Sequence, residues 1–120
     1  MATMNSVIEQ VDRLTPNVYT AEDKYSWINT LEGLVAREVM NDDAPEYDLP
    51  GDADTPLLVG HPYDDLYNLY VTAMIYFYNR EYEQYNNVTL LFQQRLEQYK
   101  AWYSRTHAGC NARNFRNVMG

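Results

Sequence analysis

Few side chains in the sequence are of a type and spacing that support catalysis. His61 and His107 lie 46 residues apart, and neither belongs to a motif that would activate a nucleophile. Glu81 and Glu83 are two positions apart on a predicted helix, where they cannot face each other, so they make a poor acid–base pair. The sequence therefore predicts a protein that is not an enzyme.

The sequence also lacks patterns that are typical of metal or cofactor sites. Asp48, Asp52 and Asp54 resemble part of a calcium-binding loop, but the ligand spacing that such a loop requires is absent. The single cysteine, Cys110, has no second thiol to pair with, so we expect a free thiol. No glycine-rich phosphate-binding loop occurs. We therefore expect neither a metal ion nor a cofactor.

The most unusual feature is a tyrosine-rich stretch, residues 61–87, which holds seven tyrosines in 27 residues. Its rings could stack on nucleic-acid bases, line a catalytic or ligand pocket, or pack between helices and between subunits. Base-stacking proteins interleave aromatic residues with lysine or arginine, but Arg80 is the only base between Tyr63 and Tyr85. A ring with an apolar body and a polar tip suits a surface between a core and a wet interface. Packing is therefore favoured, and the pocket stays open as an alternative.

Charge is distributed unevenly along the chain. The formal net charge is −8, and the segment from Arg37 to Asp65 contains nine acidic residues and one basic residue. From Arg95 to Gly120 the balance reverses, with five basic residues and one acidic residue. A chain this acidic does not wrap nucleic acid by neutralising phosphates. The polarity suits contacts with other proteins, or an acidic surface past which DNA moves without being held; the alternative is a solvated loop and a solvated tail.

Hydrophobic periodicity predicts an all-α fold, a small bundle of about four helices. Apolar residues at steps of three and four indicate helices over residues 5–14 and 21–40, with Thr20 as N-cap of the second. A third helix, apolar over much of its circumference, should begin at Pro62 and end near Tyr78. A fourth should cover residues 81–106, with a coiled-coil-like seam formed by Tyr85, Val88, Phe92, Leu96, Tyr99 and Tyr103.

Two segments fall outside this helical pattern. Residues 41–62 form a long acidic loop between helices 2 and 3, and we expect it to be functional or ordered by a partner, with a short extended piece at residues 56–59. Residues 108–120 are expected to be a flexible C-terminal tail, which leaves residues 1–107 as the helical domain. In this tail Phe115 lies between Arg113 and Arg116, a pattern that suits docking into an acidic groove.

No targeting segment is predicted. The N-terminal sequence lacks the basic and apolar regions of an export signal. The longest apolar run, residues 71–78, is much shorter than the roughly 18 residues that a membrane span needs. We therefore expect a soluble protein made in the cytoplasm.

Three segments in order resemble the head–tail connector, or adaptor, proteins of long-tailed double-stranded DNA bacteriophages and their prophages. They are P-Y-D-x-L-Y at residues 62–67, E-Y-x-x-Y-N-N at 81–87 and W-Y-x-R-T-H at 102–107. The short first helix, proline turn and second helix also fit, so the resemblance covers about residues 7–107. It implies a helical subunit that assembles as a ring, expected to be a dodecamer, in the virion neck.

The resemblance also implies partners. The ring would dock on the portal protein and extend the DNA channel toward the tail, where a head-closure (stopper) or tail-completion protein would bind, and DNA would pass without sequence-specific binding. Portal docking would involve Trp102, Tyr103, Arg105, His107, Arg113, Phe115 and Arg116. Ring or helix contacts would involve Tyr63, Tyr67, Tyr70, Tyr78, Tyr82 and Tyr85. The acidic loop would line the channel or meet the next neck protein through Asp42, Asp43, Asp48, Asp52 and Asp54.

Two alternative functions remain. The same helical subunit could be another phage neck or tail-completion adaptor. A protein of a different class, a small-ligand-binding helical bundle, would use the tyrosines between Tyr63 and Tyr85 as its pocket. Portal, terminase and major capsid genes upstream of the gene would favour the connector over the other adaptors, and quenching of tyrosine or tryptophan fluorescence by a ligand would favour the pocket.

Overall fold

The computed structural model describes residues 2–107, and within that range the fold is all-α, as predicted. Its helices are α1 (Met4–Leu14), α2 (Ala21–Leu34), α3 (Asp65–Tyr78) and α4 (Tyr82–Thr106), with a π-helical turn, Val35–Val39, continuing α2. No residue between 2 and 107 is in a β-strand. Across the same residues, no helix is long and apolar enough to cross a membrane. The predicted C-terminal tail lies outside the described residues.

The first two helices begin at side-chain caps. The Thr3 hydroxyl accepts the Ser6 backbone N–H at 3.1 Å, and the Ser6 hydroxyl accepts the Thr3 N–H at 2.9 Å, which forms a capping box. Thr20 caps α2, as predicted, by accepting the Asp23 N–H at 3.2 Å. These bonds satisfy helix-end donors that would otherwise lack partners, so local sequence defines where α1 and α2 begin.

Helix α2 crosses α1 and is tied to it by charge as well as by packing. Ile28 and Leu31 are buried in the core beside Val7 and Val11 of α1. The Lys24 ammonium, almost completely buried, lies 2.7 Å from the Asp12 carboxylate. Partial burial acts to raise the pKa of Asp12, but the hydrogen bonds from Lys24 and Asn17 outweigh it, and the pKa is lowered.

The C-terminal part of the second predicted helix differs from the expectation. A regular helix was expected to Met40, but residues Val35–Val39 widen into the π-helical turn, and the Met40 N–H donates to the Val35 carbonyl at 3.1 Å. Asn41 then adopts a left-handed conformation, with φ of 53°. The chain leaves the helix there and enters the acidic loop.

The acidic loop packs on the core through its few apolar residues. Ala53, Leu57 and Val59 are buried, and Ala53 lies directly between Asp52 and Asp54 in sequence. Two backbone hydrogen bonds join the loop to the start of the chain, from Asn5 N–H to the Ala53 carbonyl and from Leu57 N–H to the Ala2 carbonyl. The expected extended piece at residues 56–59 therefore pairs at one backbone position without forming a strand.

Helix α3 is the central helix, as its apolar circumference predicted. Leu66, Val71 and Ile75 are fully buried. The expectation that the helix begins at Pro62 is wrong, because residues 60–64 form a turn in which the Tyr63 N–H donates to the Gly60 carbonyl. The helix begins three residues later, at Asp65.

Helices α3 and α4 form an antiparallel hairpin. The chain turns at Asn79 and Arg80, as predicted, and Arg80 has a φ of 62°. Five residues of the predicted seam on α4 are half-buried and Tyr99 is buried, so this seam is the face of α4 that packs inward. Leu90 and Leu91, outside the seam, are more than half exposed.

Candidate interaction surfaces

Aromatic residues gather where the α3–α4 hairpin turns. Six rings form the turn-end cluster: Tyr19, Trp27, Phe77, Tyr78, Tyr82 and Tyr85. The Trp27 and Tyr78 rings are stacked, with centroids 5.6 Å apart and planes 11° apart. Phe77 then connects Tyr78 with Tyr82 and Tyr85, at centroid distances between 5.3 and 6.2 Å. The cluster is therefore one continuous set of touching rings.

The turn-end cluster is unusually exposed for aromatic residues that pack on each other. Phe77, Tyr78 and Tyr82 are 41%, 52% and 53% exposed. The Phe77 ring, in the last turn of α3, packs against Tyr78, Tyr82 and Tyr85 and is absent from the buried core. Contiguous exposed apolar surface of this kind is typical of protein–protein contact sites.

A second set of rings lies at the other end of the hairpin. This open-end cluster consists of Tyr63, Tyr99, Trp102, Tyr103 and His107. Tyr63, before α3, packs on Tyr99 and Trp102 of α4, both at 5.6 Å between centroids. The His107 ring stacks on Tyr103 at 3.8 Å. Because the helices are antiparallel, segments 62–67 and 102–107 meet here although they are distant in sequence.

The residues expected at the portal are only partly described. Trp102, Arg105 and His107 are exposed, and Tyr103 is half-buried against the core. Arg113, Phe115, Arg116 and Cys110 lie outside the described residues. The exposed part of the open-end cluster is thus accessible to a partner in the single subunit.

Tyr67, one of the tyrosines expected at ring or helix contacts, lies at a contact between helices. It is 0% exposed and lies at the centre of the core, so within this subunit it packs helices together and is not available to a second copy. Its hydroxyl donates to Glu32 Oε1 and accepts the Val59 N–H at 2.8 Å. Tyr67 therefore belongs to an internal polar network that joins α2, α3 and the loop.

Glu32 is the centre of this network, and sequence reasoning missed it. The carboxylate is fully buried, and its Oε2 accepts the Tyr47 hydroxyl at 2.8 Å and the Leu58 N–H at 3.1 Å. Buried charges are tolerated when hydrogen bonds replace their hydration, as the three donors do here. We call Glu32, Tyr47, Tyr67 and the loop N–H of Leu58 the loop clamp. The available signal was the position of Glu32, four residues after Ile28 and three before Val35 on the apolar stripe.

The loop clamp shifts the ionisation of its tyrosines. Burial raises the pKa of the Tyr67 hydroxyl far above its ordinary value, and the negative charge of Glu32 adds to the shift. Burial, and next the hydrogen bond to Glu32, also raise the pKa of the Tyr47 hydroxyl. In the open-end cluster, burial raises the pKa of Tyr99 to about 12. All three hydroxyls keep their protons at neutral pH.

We expect the stability of the protein to fall steeply above about pH 10. A tyrosine of the unfolded chain ionises near its ordinary pKa, whereas Tyr67 stays protonated in the fold, so high pH favours the unfolded state. The stabilisation is complete below that pKa and is lost as the pH rises toward the raised value. When the pH rises from 10 to 11, ionisation of Tyr67 in the unfolded chain should lower the free energy of unfolding by about 1 kcal/mol. Urea unfolding at both pH values measures this, and Tyr67→Phe should show a loss smaller by that amount; an unchanged loss would contradict the assignment.

The remaining expected tyrosines divide between the two ends and the middle of the hairpin. Tyr70 packs on Phe92 at 5.5 Å between centroids, midway along α3 and α4. Tyr63 lies in the open-end cluster, whereas Tyr78, Tyr82 and Tyr85 lie in the turn-end cluster. The tyrosines from Tyr63 to Tyr85 therefore do not line a single cavity.

The acidic loop holds its aspartates on the outside. Asp42, Asp43, Asp48 and Asp54 are exposed, and Asp52 is half-buried. Asp52 accepts the Asp48 N–H at 2.7 Å, and Asp54 accepts the Asn5 side-chain amide at 2.9 Å. The loop clamp and the buried apolar residues thus fix a surface on which negative charge points to solvent.

No group of three or more histidine, cysteine, aspartate or glutamate side chains within residues 2–107 is arranged to hold a metal ion. His61 is exposed and lies 3.8 Å from Asp64, a distance that suits a weak ion pair when the imidazole is protonated. Comparison of the chain with protein-family models, curated proteins and solved structures gave no match.

Proposed function

We propose that the chain is a structural subunit of a bacteriophage neck. In this proposal copies of the subunit assemble as a ring, a dodecamer by the sequence resemblance, at the junction of head and tail. The ring docks on the portal and receives a stopper or tail-completion protein on its other side. DNA passes through the ring without being bound in a sequence-specific way.

The observation that carries the proposal is the pair of exposed aromatic clusters at opposite ends of one helical hairpin. The segments that resemble connector proteins contribute to both: residues 62–67 and 102–107 to the open end, and residues 81–87 to the turn end. A subunit with two unlike contact surfaces suits heterologous contacts, which generate rings when the rotation between copies closes. An anchor ring that is half exposed on the single subunit can be buried by the next copy or by a partner.

Charge supports the assignment of DNA as a passing molecule. The fixed surface of the acidic loop carries exposed aspartates, and repetition around a ring would multiply its negative potential. Such a surface repels phosphates or meets a basic neighbour in the neck. The first alternative function, another phage neck or tail-completion adaptor, would have the same acidic surface and the same aromatic clusters. It would differ in the protein that the ring binds.

The test of the turn-end cluster in assembly is the double substitution Phe77→Ala with Tyr82→Ala. Truncating aromatic anchors at an interface commonly costs about 2 kcal/mol or more, so about thirtyfold more protein should be needed to saturate portal-bearing heads. Bound protein is measured after sedimentation of purified heads, and circular dichroism confirms that the variant is folded.

Leu90→Ala is the matched control, because Leu90 is also an exposed apolar side chain of the hairpin but lies outside both clusters. It should bind heads as the unmodified protein does. If the double variant saturated heads at the same concentration as Leu90→Ala, the turn-end cluster would have no part in assembly.

A further inference from the structure

A cavity beside the turn-end cluster combines aromatic rings with a carboxylate. It has a volume of about 260 Å³ and is lined by Tyr19, Asp23, Trp27 and Tyr78. Asp23 and Tyr78 are exposed, so the cavity is reached from solvent. It lies between the first turns of α2 and the last turn of α3, on the opposite end of the hairpin from Trp102.

The rings that line the cavity are held in place before any ligand binds. Tyr19 packs against Trp27 at 5.6 Å and against Tyr78 at 6.2 Å, and Trp27 stacks on Tyr78. The Tyr19 hydroxyl donates to Asn79 Oδ1 at 2.7 Å, and the Asn79 amide donates to Glu81 at 3.2 Å. The side chains therefore need little reordering on binding, which favours affinity.

The charge of Asp23 is not neutralised within the described part of the chain. Its backbone N–H is bound to Thr20, but its carboxylate has no lysine, arginine or histidine within 4.0 Å among residues 2–107. Asp23 supplies a carboxylate to the cavity, and Tyr19, Trp27 and Tyr78 supply aromatic rings. Both kinds of group attract a cation, the carboxylate by its charge and the rings through their quadrupoles.

We propose that this cavity binds the guanidinium or ammonium group of a basic side chain presented by a partner protein. A foreign partner is favoured over a second copy because the chain has 17 acidic residues against nine lysines and arginines, so two copies repel each other overall. The planar guanidinium of arginine also stacks on aromatic faces, which suits three rings better than an ammonium does. Three of the four lining residues, Tyr19, Trp27 and Tyr78, belong to the turn-end cluster, so the site adds the chemistry of a partner to that surface. Peptide binding requires neither a ring nor a phage head, so this proposal and the proposed neck function can each fail alone.

Two matched peptides test the site. The probe is acetyl-Gly-Arg-Gly-amide, and the control peptide carries citrulline, which has nearly the same shape without the charge. The indole N–H signals of the protein are followed by NMR during each titration. Trp102 is the internal control, because it also stacks on a tyrosine, Tyr99, but lies in the open-end cluster.

The arginine peptide should shift the Trp27 indole signal in a saturable way and leave the Trp102 signal unchanged. Citrulline should shift neither signal, and Asp23→Asn should weaken arginine binding at least about fivefold. Glu9→Gln, which removes an exposed acid of α1, should leave binding unchanged. Equal shifts from arginine and citrulline, equal shifts of both indoles, or unchanged binding by Asp23→Asn would overturn the proposal.

Discussion

Replacing Glu32 with alanine is expected to lower the free energy of unfolding by about 3 to 5 kcal/mol. The substitution removes the acceptor of three hydrogen bonds, and each buried donor left without a partner costs about 1 to 3 kcal/mol. The unpaired Tyr67 hydroxyl should account for most of this loss of stability, because it is fully buried. The Tyr47 hydroxyl and the Leu58 N–H can bind water after the change. The vacated volume adds a cavity cost in the same direction. Urea unfolding followed by circular dichroism measures the loss.

Glu9→Ala is the control for the loss of a helical glutamate. Glu9 is exposed on α1, so its replacement should change stability by less than about 0.5 kcal/mol. Glu32→Gln should fall between the two, because an amide keeps one acceptor oxygen but turns a donor toward the other hydroxyl. Equal stability of Glu32→Ala and Glu9→Ala would mean that the loop clamp does not hold the loop to the helices.

Replacing Tyr67 with alanine should also cost about 3 to 5 kcal/mol, the usual range for removing a large aromatic side chain from a core. The ring is fully buried, and its hydroxyl both donates to Glu32 and accepts from Val59. Tyr67→Phe keeps the ring and loses only the hydrogen bonds, so its cost should be about 1 to 2 kcal/mol. Urea unfolding of both variants separates the packing contribution from the polar one.

Tyr78→Ala provides the comparison on the same helix. Tyr78 is 52% exposed in the turn-end cluster, so its truncation should cost less than about 1 kcal/mol in the single subunit. If Tyr67→Ala unfolded at the same urea concentration as Tyr78→Ala, Tyr67 would be a surface residue, and its place in the core would be wrong.

The helices were predictable because their signals are local. Thr20, the stripe of Ile28 and Leu31, and the turn at Asn79 each specify structure through neighbours a few residues away. The start of α3 was misplaced because proline at residue 62 fits a turn as well as a first helical position. The π-helical turn was missed because five residues, Val35–Val39, are too few for apolar spacing to distinguish it from a turn of α-helix.

The contact surfaces were less predictable, since they depend on distances across the fold. Seven tyrosines in one stretch indicated packing, but only the three-dimensional arrangement separates Tyr67, which is buried, from Tyr78, which is exposed. Glu32 was missed because sequence alone does not reveal that Tyr47 and the Leu58 N–H return from the loop to meet it. Trp27 joins the turn-end cluster by the same kind of long-range contact.

The proposed function places the chain in the neck of tailed phage particles, and a cryo-EM reconstruction of that neck is its most direct test. The expected result is a ring directly below the portal, in which each subunit shows the α3–α4 hairpin with its aromatic ends buried against neighbouring protein. A neck in which this ring is built by another protein, or particles that lack the chain, would contradict it.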